Sequence, residues 1–77
     1  MDGRLTVRFS EYQGYDINED CEVGEFMATT GTGSYWARVL LENPKDLSTA
    51  RKRFRERTLE CMQNRIEPCE INLESIH

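Results

Sequence analysis

Hydrophobic and polar residues alternate along the first half of the chain. In "RLTVRFSEY" (4–12), Leu5, Val7 and Phe9 fall on one side and Arg4, Thr6, Arg8 and Ser10 on the other. That period of two predicts a strand with one buried face. "QGYDINED" (13–20) interrupts it with Gly14, Asp16, Asn18 and Asp20 and reads as a loop. "CEVGEFMATT" (21–30) predicts a second strand, with Cys21 and Val23 in one phase and Phe26 and Ala28 in the other. The slip at Gly24 and Glu25 predicts a β-bulge. "GTGS" (31–34) is a turn. In "SYWARVLLE" (34–42), Tyr35, Ala37, Val39 and Leu41 share one face and Trp36, Arg38 and Leu40 the other. The short glycine-containing connection makes strands two and three a hairpin.

The period then changes. Pro44, in "ENPKD" (42–46), disfavours a helical conformation at Asn43. Beyond it, Leu47, Ala50, Phe54, Thr58, Cys61 and Met62 fall in one stripe at about 100° per residue. This predicts a helix capped by Asp46, or failing that by Ser48, and ended by "QNR" (63–65). Pro68 precedes a last alternating segment, "CEINLES" (69–75), with Cys69, Ile71 and Leu73 inward and Glu70, Asn72 and Glu74 outward. The expected fold is α+β: β-β-β-α-β, a small antiparallel-rich four-stranded sheet with one helix packed on one face. Seventy-seven residues make a single domain, 1–77, with a thin core.

Charge sharpens this picture. The formal net charge is −4, yet "ARKRFRER" (50–57) holds five of the ten cations. On a helical wheel Arg51 and Arg55 flank one edge of the apolar stripe and Arg53 and Arg57 the other, so the cations form no single stripe. Between Phe9 and Ala37 there is no Lys or Arg, while Glu11, Asp16, Glu19, Asp20, Glu22 and Glu25 crowd that stretch. The acids either neutralise the helix as partly exposed ion pairs, each contributing little, or face a partner. On the helix-free face of the sheet, Arg4, Arg8, Trp36 and Arg38 would gather if strands one and three lay close. Such a surface serves protein contact or single-stranded nucleic acid.

Candidate chemistry is sparse. The single histidine, His77, is the last residue given, which leaves no positioned imidazole for a nucleophile. Cys21, Cys61 and Cys69 have no C-x-x-C spacing and make a poor zinc set. Asp16, Asn18 and Asp20 match three places of a calcium loop, but Cys21 stands where glycine is required and Met27 where a bidentate glutamate is. "TGTGS" (30–34) lacks the lysine of a phosphate-binding loop. No enzymatic activity, cofactor or metal is expected. An odd cysteine count predicts reduced thiols in the cytoplasm. The absence of a signal-like start or of an apolar run of roughly 18 residues argues against export and membrane insertion, and the chain reads as a complete small protein.

These readings converge on a non-catalytic protein-binding modulator or inhibitor. Its candidate partner-binding residues are Glu11, Asp16, Glu19, Asp20, Glu22, Glu25, Arg4, Arg8, Trp36, Arg38, Arg53 and Arg57. An acidic surface suits a partner that itself handles nucleic acid, by electrostatic complementarity. Compact stand-alone proteins of this kind are frequent among phage and mobile-element accessory genes, and an anti-CRISPR-type inhibitor is the sharpest form of the expectation. A small nucleic-acid-binding domain using the Arg/Trp sheet face or the basic helix stands second, because an acidic sequence pI near 4.9 runs against it. A self-associating structural protein, a homodimer formed through an exposed sheet edge, stands third.

Overall fold

The computed structural model describes residues 6–43 and 45–73. Three antiparallel strands, β1 (Arg8–Asp16), β2 (Cys21–Thr30) and β3 (Gly33–Leu41), form a sheet in the order β1-β2-β3. A single helix, α1 (Asp46–Gln63), lies on one face. The molecule is a small α+β fold.

The first strand is displaced from its expected span. Residues 13–16 belong to it because β1 pairs with β2 residue for residue, from Arg8↔Thr29 to Asp16↔Cys21. Backbone pairing with a long neighbour outweighs the loop-forming composition of that segment. The true turn is residues 17–20. The Asp16 carboxylate accepts the amides of Asn18 (2.8 Å) and Glu19 (3.3 Å), and the Asp20 amide donates to the Asp16 carbonyl (2.8 Å). Asp20 closes the turn in the left-handed region, φ 56°, which Asp tolerates better than most residues.

No bulge interrupts β2. Its pairing is continuous on both sides, with Gln13↔Gly24↔Val39 and Tyr12↔Glu25↔Arg38. Gly24 has a different role: a Cβ there would stand 3.2 Å from Cδ1 of Leu47, so its absence lets α1 approach the sheet. Gly33 is required twice over. Its φ of 151° suits glycine, and a Cβ would meet Pro68 at 3.1 Å.

Asp46 does not cap α1. Lys45 occupies the cap without a side-chain bond, and Asp46 is the first helical residue, where its negative charge complements the positive end of the helix dipole. The turn before it is held by Asn43, which accepts the Lys45 amide on Oδ1 (3.0 Å) and the Asp46 amide on its carbonyl (2.8 Å). The apolar stripe lies where the periodicity places it: Ala50, Phe54 and Thr58 are buried, and Leu47, Cys61 and Met62 pack at the margin. Phe54 is the centre of the core. It stacks on Phe26 (5.5 Å, 26°) and meets the edge of Phe9 (6.2 Å, 84°).

The expected fourth strand is not a strand over the described residues. The segment 69–73 makes one parallel bridge, Trp36↔Glu70. The Trp36 amide donates to the Cys69 carbonyl (3.3 Å) and the Ile71 amide to the Trp36 carbonyl (2.7 Å). Ile71 is buried in the core and Leu73 packs against it, while Cys69 is exposed. Residues 74–75 lie outside the described residues. Side-chain burial therefore anchors the segment, and among the described residues the backbone ladder does not extend beyond this bridge.

Candidate functional site

The helix covers one face of the sheet and leaves the other open. Alternation places Ser10, Tyr12 and Gly14 of β1, Val23, Glu25 and Met27 of β2, and Trp36, Arg38 and Leu40 of β3 on the open face. The register arranges them in rows: Ser10–Met27–Trp36, Tyr12–Glu25–Arg38 and Gly14–Val23–Leu40. Tyr12, Met27, Trp36 and Leu40 are all substantially exposed, Trp36 at 45% and Tyr12 at 62%. The Tyr12 ring folds back along its own strand over Gly14, where a Cβ would stand 2.7 Å from the ring carbon Cζ. A shallow groove of about 340 Å³ runs between Tyr12 and Trp36, with Met27 and Arg38 in its lining.

Arg38 organises the charge on this face. It pairs with Asp16 on β1 and with Glu25 on β2, the latter at 3.4 Å. By register, the line from Arg38 to Asp16 crosses β2 at the level of Val23, which is 4% exposed although no helix covers it. The proposed cluster of Trp36 with three arginines does not form. β2 separates β1 from β3, so Arg8 sits in the row of Thr29 and Ser34, with β2 between it and Trp36. Arg4 lies outside the described residues.

The acidic residues divide into two groups. Glu11 points to the helix side and takes a bidentate contact from Arg51, with Nε at 2.6 Å and Nη2 at 2.7 Å. That hydrogen bond, helped by the charges of Arg51 and Arg55, holds the Glu11 carboxyl below its usual range against a smaller opposing effect of burial. Glu11, Asp16 and Glu25 are thus engaged within the molecule. Glu19, Asp20 and Glu22 sit at the β1–β2 end and enter no ion pair among the described residues. Asp20 accepts the Tyr15 hydroxyl, which raises the Tyr15 phenol.

The basic helix is likewise partly answered. Besides Arg51, Arg55 lies 4.7 Å above the Phe9 ring, a cation–π contact. Arg53 and Arg57 flank a shallow surface depression with Glu56 and Glu60 at helical spacing. The opposing charges therefore alternate along that side of α1, and no uniform cationic strip remains there.

A larger hollow, about 840 Å³, lies between the β2–β3 turn and the C-terminal end of α1, lined by Thr32, Tyr35, Met62, Arg65 and Pro68 among others. The Tyr35 hydroxyl donates to the Ile66 carbonyl. Burial, then the neighbouring Cys61 and Cys69, pushes the Tyr35 phenol up, and burial does the same to the Cys61 thiol. Cys21, Cys61 and Cys69 are free thiols. Among the described residues no group of three or more His, Cys, Asp or Glu side chains is placed to hold a metal ion, and no helix is long and apolar enough to cross a membrane.

Compared with protein-family models, with curated proteins and with solved structures, the chain has no match. The residues and their geometry carry the reading that follows. Tyr12, Met27 and Leu40 were absent from the sequence-derived set of partner-binding residues, although Leu40 was read on the same face as Trp36. Met27 has the phase of Trp36 once β2 is uninterrupted, and the expected bulge concealed it. Tyr12 sat at the boundary between an expected strand and an expected loop.

Proposed function

We propose that the chain is a non-catalytic protein-binding module that meets its partner with the helix-free face of its sheet. The observation that carries this reading is the exposure of Tyr12, Met27, Trp36 and Leu40 on that one face, with Met27 and Trp36 cross-strand neighbours. Aromatic and methionine side chains around a central tryptophan, rimmed by charges, are the composition of an interface hot spot. Strands hold them, so little backbone freedom remains to be lost on binding. Protein contact is favoured over nucleic acid because Arg38, the cation beside Trp36 along β3, is answered by Asp16 and Glu25. Stacking bases on Trp36 would require free cations around it to hold the phosphates.

The acidic end, Glu19, Asp20 and Glu22, supplies long-range selection for a partner with a cationic surface. Proteins that handle nucleic acid carry such surfaces, and a modulator or inhibitor of one, as anti-CRISPR-type proteins are, is the specific form of the proposal. Affinity capture quantified across variants tests it. Trp36→Ala should remove the proteins retained by the native chain, and reversal of Glu19, Asp20 and Glu22 to Lys should weaken their capture most strongly at low salt. Lys52→Ala, on the far side of α1, should leave capture unchanged. Capture indifferent to Trp36, or a gel shift of single-stranded nucleic acid lost in Trp36→Ala, would reject the reading.

A further inference from the structure

The two edges of the sheet are not alike. The outer edge of β3 is occupied at its middle, where Trp36 exchanges backbone hydrogen bonds with Cys69 and Ile71. The outer edge of β1 has no strand against it among the described residues. It runs nine residues without interruption, and its sequence, RFSEYQGYD, contains no proline, lysine or bulge. Proline, lysine and bulges are among the devices by which proteins block edge-to-edge pairing; of the others, the strand carries only the charges Arg8, Glu11 and Asp16. Alternate residues of such an edge turn their amides and carbonyls outward, unpaired.

We propose that β1 pairs antiparallel with β1 of a second copy of this chain, about a two-fold axis through Tyr12, to make a continuous six-stranded sheet. Three features of the strand select that partner and that register. First, outward-facing residues must oppose outward-facing ones, so the axis passes through a residue and not between two. Second, Tyr12 is the midpoint of Arg8–Asp16, so this axis alone overlaps the whole strand. Third, it sets unlike charges opposite each other at both ends: Arg8 faces Asp16 of the second copy, and Asp16 faces Arg8.

The remaining pairs also match. Phe9 opposes Tyr15 of the second copy, Glu11 opposes Gln13, Ser10 opposes Gly14, and Tyr12 lies beside its own counterpart. Tyr12 and Tyr15, both largely exposed in the isolated chain, gain aromatic neighbours. An axis through Glu11 would instead place two glutamates face to face, which is unfavourable. Arg8 enters no ion pair among the described residues, and Asp16, which already accepts from Arg38 and from the amides of Asn18 and Glu19, takes Arg8 of the second copy as a further donor, as a carboxylate can.

A two-fold axis normal to the sheet leaves both open faces on the same side, so the dimer presents two copies of the Trp36 surface side by side. The pairing stands on the β1 edge alone and does not depend on that surface having a partner.

Sedimentation equilibrium of the full chain should show a reversible dimer. Arg8→Asp and Asp16→Arg should each weaken it by about tenfold, since two symmetry-related cross-strand pairs turn repulsive together. The double variant should dimerise more tightly than Asp16→Arg alone, because the second change restores the cross-strand pairing with its signs exchanged, while the loss of the Arg38 pair and of the turn acceptor is common to both. In a second measurement, Tyr12→Cys should form a disulfide across the axis under mild oxidation, identified by peptide mass. Ser10→Cys should not form one with its counterpart, because residue 10 opposes residue 14 in this register. A protein that stays monomeric at about 0.2 mM, far above a micromolar dissociation constant, overturns the proposal. So does a dimer unaffected by the charge reversals, or one that cross-links through Ser10→Cys in preference to Tyr12→Cys.

Discussion

Thr58 is completely buried on α1, and its hydroxyl has no hydrogen-bond partner among the described residues. An unpaired buried hydroxyl costs on the order of 1–3 kcal/mol in desolvation. The periodicity put Thr58 in the apolar stripe correctly, but no feature of the one-dimensional pattern says whether its oxygen finds a donor or acceptor. Thr58→Val keeps the shape and removes the oxygen. We expect urea denaturation to show a gain of about 1 kcal/mol, with a rise in thermal midpoint of roughly 4–8 °C for a domain of this size. A loss of stability would mean that the hydroxyl is bonded in solution. Gly24 and Gly33 make the complementary point. Both were visible as glycines, and one was misread as a bulge, because the group that demands a missing side chain, Leu47 or Pro68, is distant in sequence.

At the scale of elements, the helix is the most legible part of the molecule, and its ends are the least. The stripe from Leu47 to Met62 needs nothing beyond the 3.6-residue repeat. The ends depend on single backbone bonds. At the C-terminus, the Ile66 amide donates to the Cys61 carbonyl (2.9 Å) and the Arg65 amide to the Met62 carbonyl (3.1 Å), the paired bonds of a Schellman motif. This forces Arg65 to φ 58°, a left-handed conformation costing roughly 1 kcal/mol for a residue with a Cβ. Arg65→Gly relieves that strain, less its own larger entropy in the unfolded chain, and should stabilise the domain by about 0.5 kcal/mol. Unchanged far-ultraviolet dichroism with a higher urea midpoint is the expected result, and a lower midpoint would count against the motif. Strand boundaries shift for a related reason. β1 extends through Gly14 and Asp16 because β2 is long enough to pair with them, information that lies in the neighbour.

For the whole molecule, the division into an acidic front and a basic helix is resolved by one contact that joins them. Glu11 on the edge strand and Arg51 on α1 tie the two layers together. The Glu11 carboxyl is held below its ordinary value of 4.5, chiefly by the Arg51 hydrogen bond. Its folded-state pKa is depressed, so the stabilisation is fully present above that ordinary value and is lost as the pH falls through the lower folded value. The unfolding midpoint of the native chain should therefore fall more steeply on acidification below pH 4.5 than that of Glu11→Gln, and the two curves should converge at the acid end. Parallel curves would show that the pair contributes nothing, which is the common fate of exposed ion pairs. The same contact withdraws Glu11 from any partner, as Arg38 withdraws Asp16 and Glu25. Among the described residues, Glu19, Asp20 and Glu22 at the turn end enter no ion pair.

From the order of residues alone followed an α+β fold, the β2–β3 hairpin, the face of β3 that is buried, the helix and the stripe it buries. Each of these depends on a local repeat, of two or of 3.6, that hydrophobic burial reads without reference to the rest of the chain. The tertiary structure decided which carboxylates meet which cations, that β2 stands between Arg8 and Trp36, that the segment after Pro68 makes one bridge among the described residues, and that Tyr12 and Met27 join the exposed face. Those outcomes depend on strand order and register. Both are set by contacts between residues far apart in the chain, and no short-range pattern encodes them.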